Sequence, residues 1–546
     1  MPSNKNNMSI IRKLFTLGDK AFMPDWLSYQ PYDTPADVDF YYLKLCGKVH
    51  AILRNLHFAD YADSIDAKRD IIRLSCSLVA YFQDVISETK VFAAFTERHK
   101  KLYGSYLPFY KLDDSYYADE INLYDLYFLV WHHLSMLNRD EIIDPLLCAD
   151  EKEVDAINDI YALLNEEFEY APQNERLQLF LQLDDTATIF DIRKRIEYLA
   201  SSSFLNYMIF DQIIGERAIA YSKAKDLSVE QFERYMYDTR VEYIFNRRAP
   251  LLALRYNEIL ADIIGESHPL YETIRTISER KYGVFLFKEQ QEKGDIFQHV
   301  HSKTIVALAR EERTFKPETL VPDKFAQLMG IVKMGDLWYQ MGVAITVDNS
   351  EKVGLIDIGA HSFDAIEPKY ELLKTMEQAF KQATGGKLLS FAGSDEEYRD
   401  FHYRVNEIQC RIVQPKVPEE DLQKHLADLK AKLKPVFGKE TKSIAMFFNP
   451  KRGLEIYFNI PETIRDSDNP FYNPTEKCPF NQLMTKTDFS KEFIDYLMEN
   501  QLVEFENTPT RFVVDMPTML RNADFLLRYY RSDEYWAKPK VTITNH

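Results

Sequence analysis

The stretch GVFLF, residues 283–287, marks the point at which the pattern of the chain changes. It opens a series of six short apolar runs separated by turns, and the series ends at residue 347. Runs of this length between turn residues are typical of β-strands, and several in close succession indicate a small sheet that closes on itself. The other five runs are IFQHVHS, TIVALA, AQLMGIV, LWYQM and GVAITV. We therefore expect a small, strongly bent β-sheet or barrel over residues 281–350.

Glycine usage separates this region from the chain that precedes it. Of the 17 glycines, five lie before residue 280 and the other twelve lie between Gly283 and Gly453. Because glycine favours turns and destabilises helix interiors, the first half is expected to be helical. A first helix through about residue 56 is predicted to be capped by Thr34, with Asp37 and Asp39 opposing the helix dipole. Further helices are predicted at residues 70–87, 123–137, 153–168, 190–201, 204–223 and, with breaks, 229–265.

The chain beyond the barrel combines helical and strand patterns. Helices at residues 367–383 and 395–407 flank a predicted strand at 387–391, and KVTIT is a candidate last strand. SIAMFFNPKRGLEIYFNI joins two aromatic-rich runs through a turn closed by Gly453, which predicts a β-hairpin. We expect an α+β multidomain protein with four parts: a large all-helical N-terminal region at 1–280, the barrel at 281–350, a mixed α/β segment at 351–415 and a C-terminal α+β segment at 416–546.

Bulk composition restricts the compartment and the partners. The formal net charge of -18 disfavours nonspecific attraction of the whole molecule to nucleic acid or to an anionic membrane. The five cysteines are scattered without a CxxC pair, and no run approaches the ~20 apolar residues of a membrane helix. We expect a cytoplasmic protein without a membrane partner. Neither GxGxxG nor GxSxG occurs, so no cofactor is expected, and the oligomeric state stays open.

Two adjacent histidines, His132 and His133, stand in the almost uncharged run NLYDLYFLVWHHLSML. Successive helix residues point about 100° apart, so neighbours cannot readily share one metal ion, whereas residues four apart could. The pattern favours a buried helix with one histidine toward its polar edge.

The second pair of histidines, His299 and His301, is a better metal candidate. Alternate residues of a strand lie on one face, and Asp295 is close enough in sequence to be considered as a third ligand. An exposed strand face without metal is the alternative interpretation.

Basic residues are concentrated near the predicted β-hairpin. Between Arg411 and Arg452 the sequence has ten basic and five acidic residues, a local net charge of +5 in an acidic chain. This strip predicts a surface for nucleic acid or an acidic partner, while a solvated helix face is the alternative. The candidate binding residues are Lys432, Lys434, Lys451 and Arg452.

Several stretches together resemble an uncharacterised bacterial family known as a domain of unknown function. The resemblance covers about residues 25–544 and implies no catalytic or binding residue. It rests on these aromatic-rich and turn-rich segments: DWLSYQPYDTPADVDFYYLKLC, AYFQDVISETKVFAAFTERHKKLYGSYLPFY, EINLYDLYFLVWHH, LWYQMG, FFNPKRGLEIYFNIPETIRDSDNPFYNPTE and DFLLRYY. The barrel region is also similar to small barrels in such bacterial proteins.

Three functions are compatible with the sequence. The first is an interaction or scaffold protein that binds a protein partner through aromatic-rich surfaces, since aromatic residues make up 14% of the chain. The second is nucleic-acid binding through the small β domain and the basic strip at 411–452. The third is a metal-assisted hydrolase using His299, His301 and Asp295. The shortage of active-site motifs favours the first, and the sequence does not decide whether the protein is an enzyme.

Overall fold

The computed structural model describes residues 20–54, 67–112, 115–145, 151–223, 228–311, 313, 315, 319–347, 370–506 and 515–535. The chain divides into two compact units. The first unit comprises residues 1–365 and 509–533, and the second comprises residues 366–508 and 534–546. The four domain boundaries drawn from the sequence stay a prediction.

Helices dominate the first unit, as the scarcity of glycine predicts. Twelve described helices precede the first strand: α1 (Met23–Leu27), α2 (Asp37–Leu53), α3 (Ala67–Ile86), α4 (Val91–Tyr103), α5 (Leu123–Leu137), α6 (Glu151–Glu167), α7 (Glu175–Leu181), α8 (Ile189–Ser201), α9 (Tyr207–Ser222), α10 (Val229–Asn246), α11 (Tyr256–Ile264) and α12 (Tyr271–Arg275). The second unit holds α13 (Tyr370–Ala383), α14 (Asp395–Val413), α15 (Glu419–Lys432), α16 (Phe480–Thr485) and α17 (Lys491–Glu499). Two more helices, α18 (Met516–Arg521) and α19 (Ala523–Tyr530), return to the first unit.

The start of α2 corrects one local prediction. Thr34 does not cap this helix, because the chain enters the helix only after Ala36. The Asp39 carboxylate instead accepts the backbone N–H of Ala36 at 2.7 Å. It also accepts the indole N–H of Trp26 at 2.8 Å and the hydroxyl of Tyr32 at 3.1 Å. One buried acid in the first turn therefore caps α2 and ties it to the preceding segment.

The predicted barrel is confirmed. Its strands are β1 (Lys281–Gln291), β2 (Gly294–His299), β3 (Ile305–Leu308), β4 (Ala326–Met334) and β5 (Leu337–Val347), and they form a closed barrel in the order β1-β2-β3-β5-β4. The pairs are antiparallel except for β3 with β5. The interior is aromatic, with Phe285, Phe287 and Phe297 buried together. No glycine lies in the turn between β2 and β3, where Lys303 takes the positive φ of 61°.

The Arg280 side chain joins the barrel to the helices of the same unit. Its Nε donates to the carbonyl of Met341 at 2.9 Å, and its Nη2 donates to Asp238 of α10 at 2.5 Å. A side chain at Gly330 or Gly342 would overlap with this guanidinium group. These two glycines therefore leave room for an arginine to lie flat against the sheet.

The second unit contains a three-stranded antiparallel sheet. Its strands are β6 (Leu389–Ala392), β7 (Ile444–Asn449) and β8 (Gly453–Phe458), in the order β6-β7-β8. The β7–β8 hairpin confirms the prediction, and Gly453 takes the φ of 93° that its turn requires. Helices α13 and α14 cover the sheet through Phe380 and Phe401, which pack against Phe448. The predicted strand KVTIT lies outside the described residues.

Candidate protein interface

Helix α9 has apolar side chains on every side. Ten of its 16 residues are apolar, and at 100° per residue they point in all directions around the helix axis. A helix of this kind is normally buried in a protein core or in a membrane. Yet Ile214 is the one residue of this fully described helix that is buried. Seven more of its apolar residues are half-buried, and Ile219 and Ala220 are exposed, so α9 is only partly covered by its own chain.

Three large apolar side chains of these two helices are exposed, namely Ile219 near the end of α9, Val229 at the start of α10 and Tyr237 in the middle of α10. The exposed fractions are 59% for Ile219, 73% for Val229 and 43% for Tyr237. Tyr221 stacks on Tyr235 with ring centroids 3.8 Å apart and planes at 6°. We call α9 and α10 together the α9–α10 hairpin; the connecting residues 224–227 lie outside the described part. Apolar and aromatic surface of this kind is typical of protein interaction sites.

The opposite end of the α9–α10 hairpin is fixed to its unit. Asp211 forms an ion pair with Arg73 of α3. The rings of Phe210 and Tyr243 pack at 5.1 Å, and Arg193 of α8 donates to the Tyr237 hydroxyl at 3.0 Å. These contacts hold the described parts of α9 and α10 against the first unit, which reduces the conformational entropy that they would lose on association.

The adjacent histidines of α5 are buried, as predicted. His132 and His133 are each 4% exposed, so neither lies at an exposed edge of the helix. His132 bonds through its two ring nitrogens to the Tyr529 hydroxyl at 2.7 Å and the Leu205 carbonyl at 2.8 Å. Burial lowers the pKa of His132 to about 4 and that of His133 to about 3, so both rings are neutral at pH 7. They contribute to packing and hydrogen bonding inside the first unit.

The predicted metal residues do not converge. The His299 ring is buried in the barrel, where it packs on Gly283 and Phe285, while His301 is exposed. Their ring centroids lie 5.9 Å apart. Asp295 is four residues from His299 on the same strand, about 13 Å away at ~3.3 Å per residue.

Asp295 is engaged by arginines. Its carboxylate accepts Arg310 Nε at 3.0 Å and forms a second ion pair with Arg313. Across the described ranges, no three His, Cys, Asp or Glu side chains form a group that could hold a metal ion. The metal site stays a prediction, and Asp295 has a separate role in binding these arginines.

Of the four basic residues predicted to bind a partner, two lie close to acidic side chains and two are exposed. Lys451 forms an ion pair with Glu492 at 2.9 Å, and Arg452 lies 4.0 Å from Glu534. Elsewhere in the strip, Arg411 pairs with Glu407 and Glu419, and Lys430 pairs with Asp400. Lys432 and Lys434 are exposed near the end of α15. Acidic neighbours thus neutralise much of the positive charge that the linear sequence suggests.

A polar network behind the β7–β8 turn was not apparent from the sequence. Ser490, which caps α17, donates to Glu455 at 2.6 Å, and the Tyr457 hydroxyl donates to the same carboxylate at 2.7 Å. Asn449 donates to both Glu455 and Glu492. Burial raises the pKa of Glu455 despite these donors. The network fixes the turn that carries Lys451, and its members lie up to 43 residues apart in sequence.

The α9–α10 hairpin lies in a part of the chain that can be compared with a known family. Residues 20–283 match the family described as protein of unknown function (DUF3843). The resemblance to a domain of unknown function is thereby confirmed for these residues. The match includes every helix from α1 to α12 and ends at the start of the barrel. No curated protein and no solved structure matches the chain. No described helix combines the length and apolar composition needed to cross a bilayer.

Proposed function

We propose that this protein is an interaction protein and that its α9–α10 hairpin binds a protein partner. The partner presents an apolar helical surface, because an exposed apolar helix is best covered by further helices in a bundle. The observation that carries the proposal is the composition of α9, which is apolar on all sides while only Ile214 is buried.

The exposed side chains are large enough to contribute substantially to binding. Full burial of a Val, Leu or Ile side chain stabilises by roughly 1.5–3 kcal/mol. Ile219 is 59% exposed and Val229 is 73% exposed, so covering what remains of the two would contribute about 2–4 kcal/mol before the cost of association. Tyr221 and Tyr235 add a rigid aromatic surface of the type enriched at interaction hot spots.

Nucleic-acid binding receives less support. The β2–β3 residues that alternate with the buried Phe297, Val306 and Leu308 are Ile296, Gln298, Ile305 and Ala307, and none of them is charged. A phosphate backbone requires cations that are free to neutralise it, whereas several cations of the basic strip already pair with acids. A metal-assisted hydrolase likewise lacks convergent ligands among the described residues.

Site-specific photocrosslinking in the source cells tests the proposal. A photoreactive amino acid at position 229 of the full chain should give one discrete protein adduct, and the same label at Leu179 should not. Leu179 is a matched control because it is an exposed apolar residue of α7, outside the α9–α10 hairpin.

A second variant shows whether the adduct depends on the apolar surface. Combining the label at 229 with Ile219→Glu should remove the adduct, because the partner would have to bury an unpaired charge. The adduct is then identified, and its binding to the purified full chain is measured directly. Equal labelling from positions 179 and 229, or an adduct that tolerates Ile219→Glu, would contradict the proposed interface.

A further inference from the structure

A charged cavity of about 150 Å³ lies between α4 and the pair α11–α12 in the first unit. Its charged lining residues are three cations, Lys90, Arg98 and Lys101, and three anions, Glu97, Asp262 and Glu266. All six lie within the residues that match the family model. The residues that line the cavity belong to α4, α11 and α12 and the chain beside them, and none belongs to the α9–α10 hairpin.

The central pair of the cavity, Arg98 and Asp262, is poorly matched. Arg98 Nε and Asp262 Oδ2 are 3.9 Å apart, which is too long for a hydrogen bond. The two side chains are only 21% and 15% exposed. The Arg98 Nε atom itself is buried and has no hydrogen-bond partner among the residues that the structure describes. A buried guanidinium N–H in this position is costly unless an acceptor reaches it.

Asp262 lines the same cavity and is also largely buried. Burial raises the pKa of its carboxyl group although Arg98, Arg275 and Lys101 all act to lower it. A desolvated carboxylate of this kind is stabilised by a hydrogen-bonded cation. The nearby Lys101 pairs with Glu266 at 2.9 Å, and both of these side chains are exposed at the rim. Arg275, the other cation, donates to the Tyr271 hydroxyl at 2.8 Å.

We propose that the cavity binds a small zwitterion, with its carboxylate on Arg98 and its ammonium group on Asp262. A simple anion would leave Asp262 without a hydrogen-bonded cation and would be repelled by Glu97. A simple cation would leave Arg98 Nε without an acceptor and would be repelled by Lys90. A ligand with both charges can pair with Arg98 and Asp262 at once, and its charges match the balanced charge of the lining.

The cavity is open to solvent on one side, so its volume indicates the size of the part of the ligand that lies inside it. An apolar cavity of about 150 Å³ accommodates benzene, a molecule of six heavy atoms. Glycine and alanine, with five and six heavy atoms, are therefore the right size, and larger α-amino acids would project their side chains outward. Ligands this small are expected to bind no more tightly than the micromolar range.

Isothermal titration of the full chain with three probes tests the assignment. Glycine carries both charges, acetate carries only the carboxylate, and methylammonium carries only the cation. Glycine should bind at least about tenfold more tightly than either of the other two. Binding of acetate with the affinity of glycine would identify a simple anion site, and an absence of glycine binding would remove the site altogether; each result overturns the proposal.

Variants locate the binding in the cavity. Arg98→Lys retains the charge and loses the Nε–H, and Asp262→Asn retains the shape and loses the charge; each should weaken glycine binding by about tenfold or more. Arg240→Gln, a substitution on the exposed surface of α10, is the control and should leave the affinity unchanged. Melting temperatures are measured in parallel, so that loss of binding in a folded protein is distinguished from unfolding. Unchanged glycine affinity in a folded Arg98→Lys protein contradicts the assignment.

Discussion

Helices α5 and α9 are similar in composition and opposite in environment. Both are apolar around most of their circumference. In α5 every residue from Asp125 to Met136 is buried, whereas in α9 only Ile214 is buried. The same sequence property therefore describes the centre of a core in one case and a surface in the other. A helix that is apolar on all sides therefore predicts burial without specifying whether the covering atoms belong to the same chain.

The largest effect is expected from truncation inside α5. Trp131 is fully buried, contacts Phe128 and Phe525, and donates its indole N–H to the Ile143 carbonyl at 3.0 Å. Trp131→Ala should lower the free energy of unfolding of the first unit by about 3–5 kcal/mol, because it creates a large cavity. Urea denaturation followed by circular dichroism measures this change. A loss below about 1 kcal/mol would show that α5 is less tightly packed than the structure indicates.

The next effect is a pH dependence that originates in the same helix. Asp125 accepts hydrogen bonds from Tyr81 at 2.6 Å and Tyr116 at 3.0 Å, and burial raises its pKa from 3.8 to about 7. Since the folded-state pKa lies above the unfolded one, its contribution is fully present below about pH 4 and declines as the pH rises to about 7. The expected decline is roughly 1.4 kcal/mol per pH unit, at most about 4 kcal/mol in total.

Comparison with Asp125→Asn isolates this titration. The variant cannot ionise, so its stability relative to the wild type should increase between pH 4 and pH 7. Denaturation midpoints of both proteins across this range give the difference. A difference that is independent of pH would show that Asp125 titrates at its ordinary value.

A smaller effect of opposite sign is expected in α9. Gly215 lies in the interior of this helix, and, apart from the adjacent residues and the backbone of the helix itself, no described heavy atom lies within 4 Å of the position that a Cβ would occupy. Gly215→Ala should therefore stabilise the isolated protein by about 0.5–1 kcal/mol. Thermal unfolding measures the gain. If the same substitution also weakens partner binding, a partner approaches the helix closely at this point; destabilisation of the isolated protein would contradict the open environment of α9.

The smallest change in stability is expected from a substitution on the exposed side of α9, and it distinguishes α9 from the buried α5 most directly. Ile219→Glu in α9 should change the stability of the isolated protein by no more than about 0.5 kcal/mol, since the side chain is already exposed. Chemical denaturation measures the change in the free energy of unfolding, which is compared with the loss of several kcal/mol expected for Trp131→Ala. A large loss of stability from Ile219→Glu would mean that α9 is covered within its own chain.

Local patterns predicted the architecture well. The helical first part, the barrel between residues 281 and 347 and the β7–β8 hairpin all follow from glycine placement and from short apolar runs. The burial of His132 and His133 also follows from the apolar character of their helix. These features depend on neighbouring residues, whose periodicity is visible in a linear sequence.

Features that depend on distant residues were not predictable. The charged cavity brings Arg98 together with Asp262, and the network at Ser490 brings together residues of β7, β8 and α17. Asp295 is a further example, because its ion pairs with Arg310 and Arg313 could not be read from the sequence, which suggests only its closeness to His299. The sequence predicts Thr34 as the cap of α2, because the tertiary contacts that place Asp39 at the start of this helix cannot be read from the sequence.

The arginine at the junction of the barrel limits how this fold can be recombined. Arg280 precedes the first strand, yet its guanidinium group fills the space above Gly330 and Gly342 and reaches Asp238 of α10. A barrel excised at residue 281 would lose this filling group and expose two bare glycine positions to solvent. If the barrel is grafted into another protein, we expect it to keep this packing only when Arg280 and α10 are grafted with the strands. The smallest transferable unit is therefore larger than the sheet itself.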